Sequence, residues 1–233
     1  MVCLLTALKQ EAAPFVRSLG NAVADRAGPC SCHRGTFRGR DTVVGVTGVG
    51  KILAAASCQA VIDRYKPEQI IYSGAAGAVS EDLSVGDLVV ARDCVQYDMD
   101  LRNAGLRLGE VPGTGLRFFS SDPGMLEAAG RFDTGKFRVC FKRVVTGDIF
   151  LTPDLFTTHE AAVREISGDA VDMEGASAGL VSQVNGVPFL LVRYITDRVR
   201  DGSLRGFPAK LKTGSLRCLE LITWIIQHSG TNG

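Results

Sequence analysis

The sequence of 233 residues holds only three histidines, His33, His159 and His228, and a single tryptophan. None of the histidines closes an apolar run, so a Ser–His–Asp or Cys–His hydrolase, which needs an imidazole beside its nucleophile, is disfavoured. A zinc site is poorly served as well. Cys30-Ser31-Cys32-His33 has metal-ligand residue types, but the second pair of ligands is missing, and His159-Glu160 lacks the second histidine of a zinc-protease helix. That segment is expected to be a surface hairpin, and no metal or other cofactor is expected. Charge of one sign is also lacking. Lys and Arg number 26 against 25 Asp and Glu, so no whole-molecule field favours nucleic acid or an anionic membrane. The longest apolar stretches, such as residues 187–192, fall far short of the ~20 residues of a membrane-crossing helix. The N-terminal stretch has neither the basic head nor the apolar length of a secretory signal. The seven cysteines are odd in number and lie mostly in apolar runs (Cys3, Cys58, Cys140, Cys218). They read as buried thiols in a reducing compartment, and the expected location is cytoplasmic.

What is present is ordinary globular material: 45% hydrophobic and 22% charged residues. Area scaling gives a folded surface of roughly 10,000 Å² against roughly 36,000 Å² unfolded, enough burial for a core without disulfide staples. No linker, repeat or low-complexity tract interrupts the chain, so residues 1–233 are expected to form a single domain. Short, continuously apolar runs alternate with helical patterns. Strands are expected over residues 2–8, 42–47, 69–73, 87–98, 138–145, 169–173 and 187–196, with a hairpin partner near 35–38. Helices are expected over 51–65, 123–132 (capped by Asp122), 153–166 (Thr152 near its N-cap), 176–184 and 208–228. This alternation describes an α/β sheet covered on both faces.

In such sheets ligands sit outside the carboxyl ends of the strands, so polar residues closing apolar runs mark the place to look. These are Ser73-Gly74-Ala75-Ala76-Gly77, which reads as a glycine-rich turn, Thr146-Gly147-Asp148, Asp172-Met173-Glu174-Gly175 and Thr196-Asp197-Arg198. Gly45 to Lys51 has the GxxxxGK spacing of a phosphate loop, but the next position is Ile52 rather than the Ser or Thr that holds Mg²⁺. It reads instead as a tight strand-to-helix turn where a ligand lies close to bare backbone. What remains is carboxylate chemistry. Glu11, Glu174 and Asp197 each follow an apolar strand. Any one alone could be a helix cap or an ion-pair partner. Three at one sheet edge suit cleavage of a glycosidic bond: one group protonates the leaving atom, one activates water, and negative charge stabilises an oxocarbenium-like centre.

Taken in order, Glu11, Gly48-Val49-Gly50-Lys51, Ser73-Gly74-Ala75-Ala76-Gly77, Val85-Gly86-Asp87, Thr146-Gly147-Asp148, Val171-Asp172-Met173-Glu174 and Arg193-Tyr194-Ile195-Thr196-Asp197 resemble the nucleoside phosphorylase/nucleosidase superfamily. Within it, the likeness is to the 5′-methylthioadenosine/S-adenosylhomocysteine nucleosidases, over essentially the whole chain. The resemblance implies a three-layer α/β/α sandwich around a mixed, twisted central sheet. It implies a purine nucleoside as substrate and a homodimer in which residues 97–106 of one subunit close the 5′ end of the other's site. It assigns water activation to Glu11, the ribose hydroxyls to Glu174 with Met173 packed on the sugar, and the proton for purine N7 to Asp197, oriented by Thr196. It places Phe150 on the adenine face, the Leu151 backbone at the adenine edge, Arg193 in the site lining, and Val49, Leu8 and Phe207 around the 5′-thioalkyl group.

The chain departs from the resemblance at two places. Ala75 stands where a serine helps hold the water and Glu11, and Leu101, Ala104 and Leu106 stand where aromatics are expected. Alternatives from the same fold are a purine-nucleoside phosphorylase or a futalosine-type nucleosidase. A nucleoside-binding protein without turnover is a third. Against the phosphorylase, Tyr72 occupies the position of its phosphate-binding arginine.

Overall fold

The computed structural model of the chain describes residues 1–202 and 206–229. The apolar runs become strands and the periodic stretches become helices, in the order β1 (Val2–Thr6), α1 (Lys9–Arg17), β2 (Gly20–Ala27), β3 (Cys30–Phe37), β4 (Arg40–Val46), α2 (Lys51–Tyr65), β5 (Gln69–Ala78), β6 (Leu88–Gln96), β7 (Phe119–Ser120), α3 (Pro123–Gly130), β8 (Val139–Thr146), α4 (Pro153–Glu165), β9 (Ala170–Asp172), α5 (Gly175–Val184), β10 (Phe189–Arg198) and α6 (Phe207–His228). The pattern-derived limits of α2 are met at both ends. Asp122 caps α3 by accepting from Met125 N at 2.9 Å, and Thr152 caps α4 through Leu155 N at 3.5 Å.

The sheet is mixed. β4, β1, β5 and β10 run parallel side by side. β6 pairs antiparallel with β10, β8 runs parallel to β6, and β9 joins β8 to β5. These pairings close β5, β10, β6, β8 and β9 into a ring, while β1, β4, β3 and β2 continue as an open sheet. Alternation along β1 feeds two apolar layers. Cys3 and Leu5 pack with Ala54, Cys58 and Val61 of α2. Val2 and Leu4 pack with Phe15 of α1 and with Cys218, Leu221, Ile222 and Ile225 of α6. This is the α/β/α sandwich expected. Its strands are apolar on both sides because both faces are covered.

Three local features differ from the sequence reading. α1 and β2 are not among the elements expected from the sequence, although α1 is amphipathic and buries Glu11, Ala12, Pro14 and Phe15 on one face. α1 is nine residues long, contains Pro14, and begins at Leu8, a residue type that does not cap with its side chain; Glu11 supplies the missing cap by accepting from Leu8 N at 3.0 Å. The glycine-rich stretch after Ser73 is no turn: β5 runs on through Ala78, held by β10 on one side and β9 on the other. Cys30 and Cys32 lie in the expected hairpin, formed by β2 and β3 at the sheet edge, but both thiols are buried. They point to one face of β3 with their sulfurs 3.6 Å apart, and no metal-holding cluster is found among the described residues.

Candidate active site

A pocket with about 740 Å³ of empty space opens where β1, β5, β9 and β10 end, walled by the chain after β4 and β8 and by the start of α6. All twelve residues singled out from the sequence line it. Glu11, Glu174 and Asp197 bring three carboxylates to it. Ala75 and Thr196 form part of its floor, with Met173 and Arg193 beside Glu174. Leu8, Val49, Phe150, Leu151 and Phe207 supply part of its apolar wall.

Arg193 organises the base of the pocket. Its side chain is 1% exposed, its Nε donates to Asp172 Oδ2 at 2.8 Å, and its Nη2 lies 2.6 Å from the same oxygen and 3.4 Å from Glu174 Oε2. The guanidinium lies 5.1 Å from the centre of the Tyr72 ring. Burial works against its charge, but Asp172 and Glu174 outweigh it and hold the group above its ordinary value. Asp172 is itself anchored by the Thr146 hydroxyl and the Gly175 N–H. Gly74 makes room for this arrangement, since a Cβ there would run into Arg193 Nη1 and come within 3.1 Å of Glu11 Oε1.

Glu174 sits between β9 and α5. Its Oε1 accepts from Gly50 N at 3.0 Å, while the next amide, Lys51 N, donates to Asp148 Oδ1 at 2.9 Å. Carboxylates therefore occupy the start of α2, and Lys51 Nζ is held by Asp98 at 2.8 Å. The GxxxxGK stretch is the tight turn expected, with Gly48 and Gly50 at φ of 89° and 94°. Burial pushes the Glu174 carboxyl up to about 7, with Arg193 and the Gly50 amide pulling back and Asp172 and Glu11 adding to the rise.

Asp197 is within β10 rather than beyond it. The register against β5 shifts between Ile195 and Asp197, leaving Thr196 as an extra residue. A bulge re-aims neighbouring side chains that a regular strand would send to opposite faces, and Thr196 and Asp197 both reach the pocket. Thr196 Oγ1 donates to Asp197 Oδ1 at 2.7 Å. Burial raises the Asp197 carboxyl above the ordinary range, opposed by this hydrogen bond and by Lys210. Glu11 is 2% exposed. Its Oε2 accepts from Leu8 N, and its Oε1 accepts from Ala75 N at 2.9 Å and from the Tyr194 hydroxyl at 3.0 Å.

The structural roles weighed for these carboxylates are thus present too: Glu11 caps α1, and Glu174 pairs with Arg193. Their convergence on one cavity, with an aspartate whose pKa burial raises, goes beyond what capping requires. Sequence reasoning named Asp172 only as a strand-end residue and passed over its pairing with Arg193. It passed over the contact of Tyr194 with Glu11 altogether; the available signal was a tyrosine in a strand buried on both faces, whose hydroxyl must find a partner.

The sheet and helices that carry this pocket have the fold of the phosphorylase superfamily. The model of that family matches residues 1–226, and the chain belongs to it. Among individual proteins, its relatives include 5′-methylthioadenosine/S-adenosylhomocysteine nucleosidases, as the motifs indicated. It is 28% identical to that of Anoxybacillus flavithermus over 97% of this chain and 98% of the relative. It is 31% identical to that of Desulfotalea psychrophila over 86% and 85%. The crystal structure of the Colwellia psychrerythraea nucleosidase in complex with adenine superimposes with a TM-score of 0.91 at 25% identity, covering 97% of this chain and 94% of that one. That of the Neisseria meningitidis enzyme in complex with methylthio-immucillin-A gives 0.89 at 25% identity, covering 97% and 98%.

Proposed function

We propose that this protein hydrolyses the N-glycosidic bond of 5′-methylthioadenosine and S-adenosylhomocysteine, with 5′-deoxyadenosine as a further candidate, releasing adenine. The observation that carries this reading is the convergence of Glu11, Glu174 and Asp197 on one mostly apolar pocket. Adenine is a poor leaving group until N7 is protonated. Asp197, whose burial favours the neutral acid, gives its proton to N7 as the bond from C1′ to N9 breaks and the electron pair moves into the base. Glu174 accepts hydrogen bonds from the two ribose hydroxyls, and the negative charge around it stabilises the oxocarbenium-like sugar. A water adds its oxygen to C1′ and passes a proton to Glu11. Phe150 covers the purine, the Leu151 backbone meets its edge, and Leu8, Val49 and Phe207 receive the 5′-thioalkyl group, where each CH₂-sized increment contributes ~0.8 kcal/mol.

Water is favoured over phosphate on electrostatic grounds. A phosphate dianion beside Glu11 and Glu174 meets like charges, costing roughly 4 kcal/mol per pair at ~4 Å and an effective dielectric near 20. Arg193 is already engaged by Asp172 and Glu174. The test is adenine release from 5′-methylthioadenosine with and without phosphate. A 1-hydroxyl sugar product at equal rates is expected; stoichiometric sugar 1-phosphate would instead make the protein a phosphorylase.

The assembly belongs to the same proposal. Val49, Ile52, Leu53 and Phe150 are exposed apolar side chains at and beside the pocket mouth, where a second subunit would cover them. The residues 97–106 of that subunit are the proposed closing segment. Within one chain Met99, Leu101 and Leu106 are half-buried and Tyr97 is fully so.

A further inference from the structure

We infer that Tyr194 positions Glu11 for water activation, supplying the hydroxyl donor that Ala75 does not. The inference rests on the nucleosidase reading and adds a residue to it. A carboxylate offers about four acceptor positions. Two on Oε1 are filled, by Ala75 N at 2.9 Å and Tyr194 Oη at 3.0 Å, and one on Oε2 is filled by Leu8 N at 3.0 Å. One position remains, on Oε2, to take a proton from water. The three donors come from β5, β10 and the start of α1, so the carboxylate is fixed from three directions.

Serine or alanine at position 75 changes what reaches Oε1. With alanine the backbone N–H still donates, but no side-chain hydroxyl is available from β5. Tyr194 reaches the same oxygen from the neighbouring strand, where it stands directly opposite Ala75 in the β5–β10 register. The phenol is well placed to stay a donor. Tyr194 is 1% exposed, and burial together with the adjacent Glu11 charge holds its hydroxyl protonated well beyond the ordinary range of tyrosine. The ring is located by Gly214 of α6: a Cβ at that position would overlap the ring itself, so the close approach of helix to strand depends on glycine there. The partner this buried hydroxyl meets is the one carboxylate assigned to water.

The experiment is a small mutant cycle on adenine release. Tyr194→Phe keeps the ring and its packing and removes one donor. We expect kcat to fall about 5- to 30-fold with KM changed less than twofold, because water activation is lost and substrate contacts are not. Ala75→Ser in the Tyr194→Phe background should restore most of kcat, the serine hydroxyl replacing the phenol as donor to Glu11. In a crystal structure of Tyr194→Phe the Glu11 carboxylate should turn or lose its single orientation, and regain it in the double variant.

The two readings fail separately. A wild-type protein that releases no adenine removes the nucleosidase reading, and Tyr194 is then judged by the orientation of Glu11 alone. A Tyr194→Phe variant with wild-type kcat and an unmoved Glu11 overturns the tyrosine's role. So does one whose loss falls on KM and thermal stability and is not rescued by serine.

Discussion

Thr196 Oγ1 donates to Asp197 Oδ1 at 2.7 Å, so the two oxygens of the proposed general acid are not equivalent. The oxygen that accepts from threonine is the poorer place for a proton, which leaves Oδ2 to carry it toward the purine. Asp197→Asn should therefore reduce kcat by roughly 10²–10⁴-fold, the usual value of general acid catalysis, while adenine still binds. Near-normal turnover of 5′-methylthioadenosine by that variant would remove Asp197 from the role.

The same geometry sets a pH dependence. The proposed mechanism needs protonated Asp197, so activity should be lost as pH rises through its pKa. Burial raises that pKa, and Thr196 and Lys210 lower it by favouring the ionised form. Replacing either cause, by Thr196→Val or Lys210→Met, should move the alkaline limb of the kcat profile to higher pH. A move to lower pH would mean that another group governs that limb.

Glu174 titrates in the opposite sense. Burial pushes its carboxyl up to about 7, so in the free protein it is about half protonated near neutrality. Ribose hydroxyls bind the ionised form, so a riboside should release protons on binding near pH 7, and its affinity should fall as pH drops below that value. Titration calorimetry in two buffers of different ionisation enthalpy reads the proton release. Glu174→Gln should abolish it and weaken ribosides while leaving free adenine little changed. Equal enthalpies in both buffers for the wild type would contradict the clamp.

Arg193 and Asp172 make a buried pair, 1% and 0% exposed. Removing one partner of such a pair costs ~3–5 kcal/mol, and the lower end applies to Asp172→Asn because Glu174 remains near Arg193. A chain of this size should lose about 6–12 °C of Tm. A scanning calorimetry shift of only one or two degrees would show that the pair contributes little to stability.

If a second subunit covers the pocket mouth, Ile52→Glu, at a side chain 81% exposed, should weaken assembly without touching the pocket. Sedimentation at micromolar concentration should give a dimer for the wild type and a monomer of lower activity for the variant. A fully active wild-type monomer would rule the assembly out.

Much of this was legible in the sequence because the signals were periodic or terminal. α2 announces itself by spacing, and the strand ends carry the carboxylates that line the pocket. The legible part stops where tertiary contact overrides local preference. Gly74 and Gly77 read as a turn, yet pairing with β10 and β9 carries β5 straight through them. The bulge at Thr196 has no signature in a run of residues that all read as strand. Glu11 capping a helix that starts at leucine, and Tyr194 meeting Glu11 across 183 positions of sequence, are relations between distant segments, and hydropathy patterning does not report them.

The closed ring of strands also bears on how the protein is made. β5 and β10 are adjacent in space, yet more than a hundred residues separate them in the chain, and every proposed catalytic group is held by one of these strands or by something packed against them. Contacts of such high sequence separation form late and slowly. On the ribosome, a chain synthesised as far as α5 has the open parallel sheet but no β10, so it lacks Arg193, Tyr194 and Asp197 together and leaves the β5 edge unpaired on that side. These three side chains would then arrive in the site together, with the docking of a single strand. Until that moment the nascent protein exposes a sheet edge able to pair with another chain.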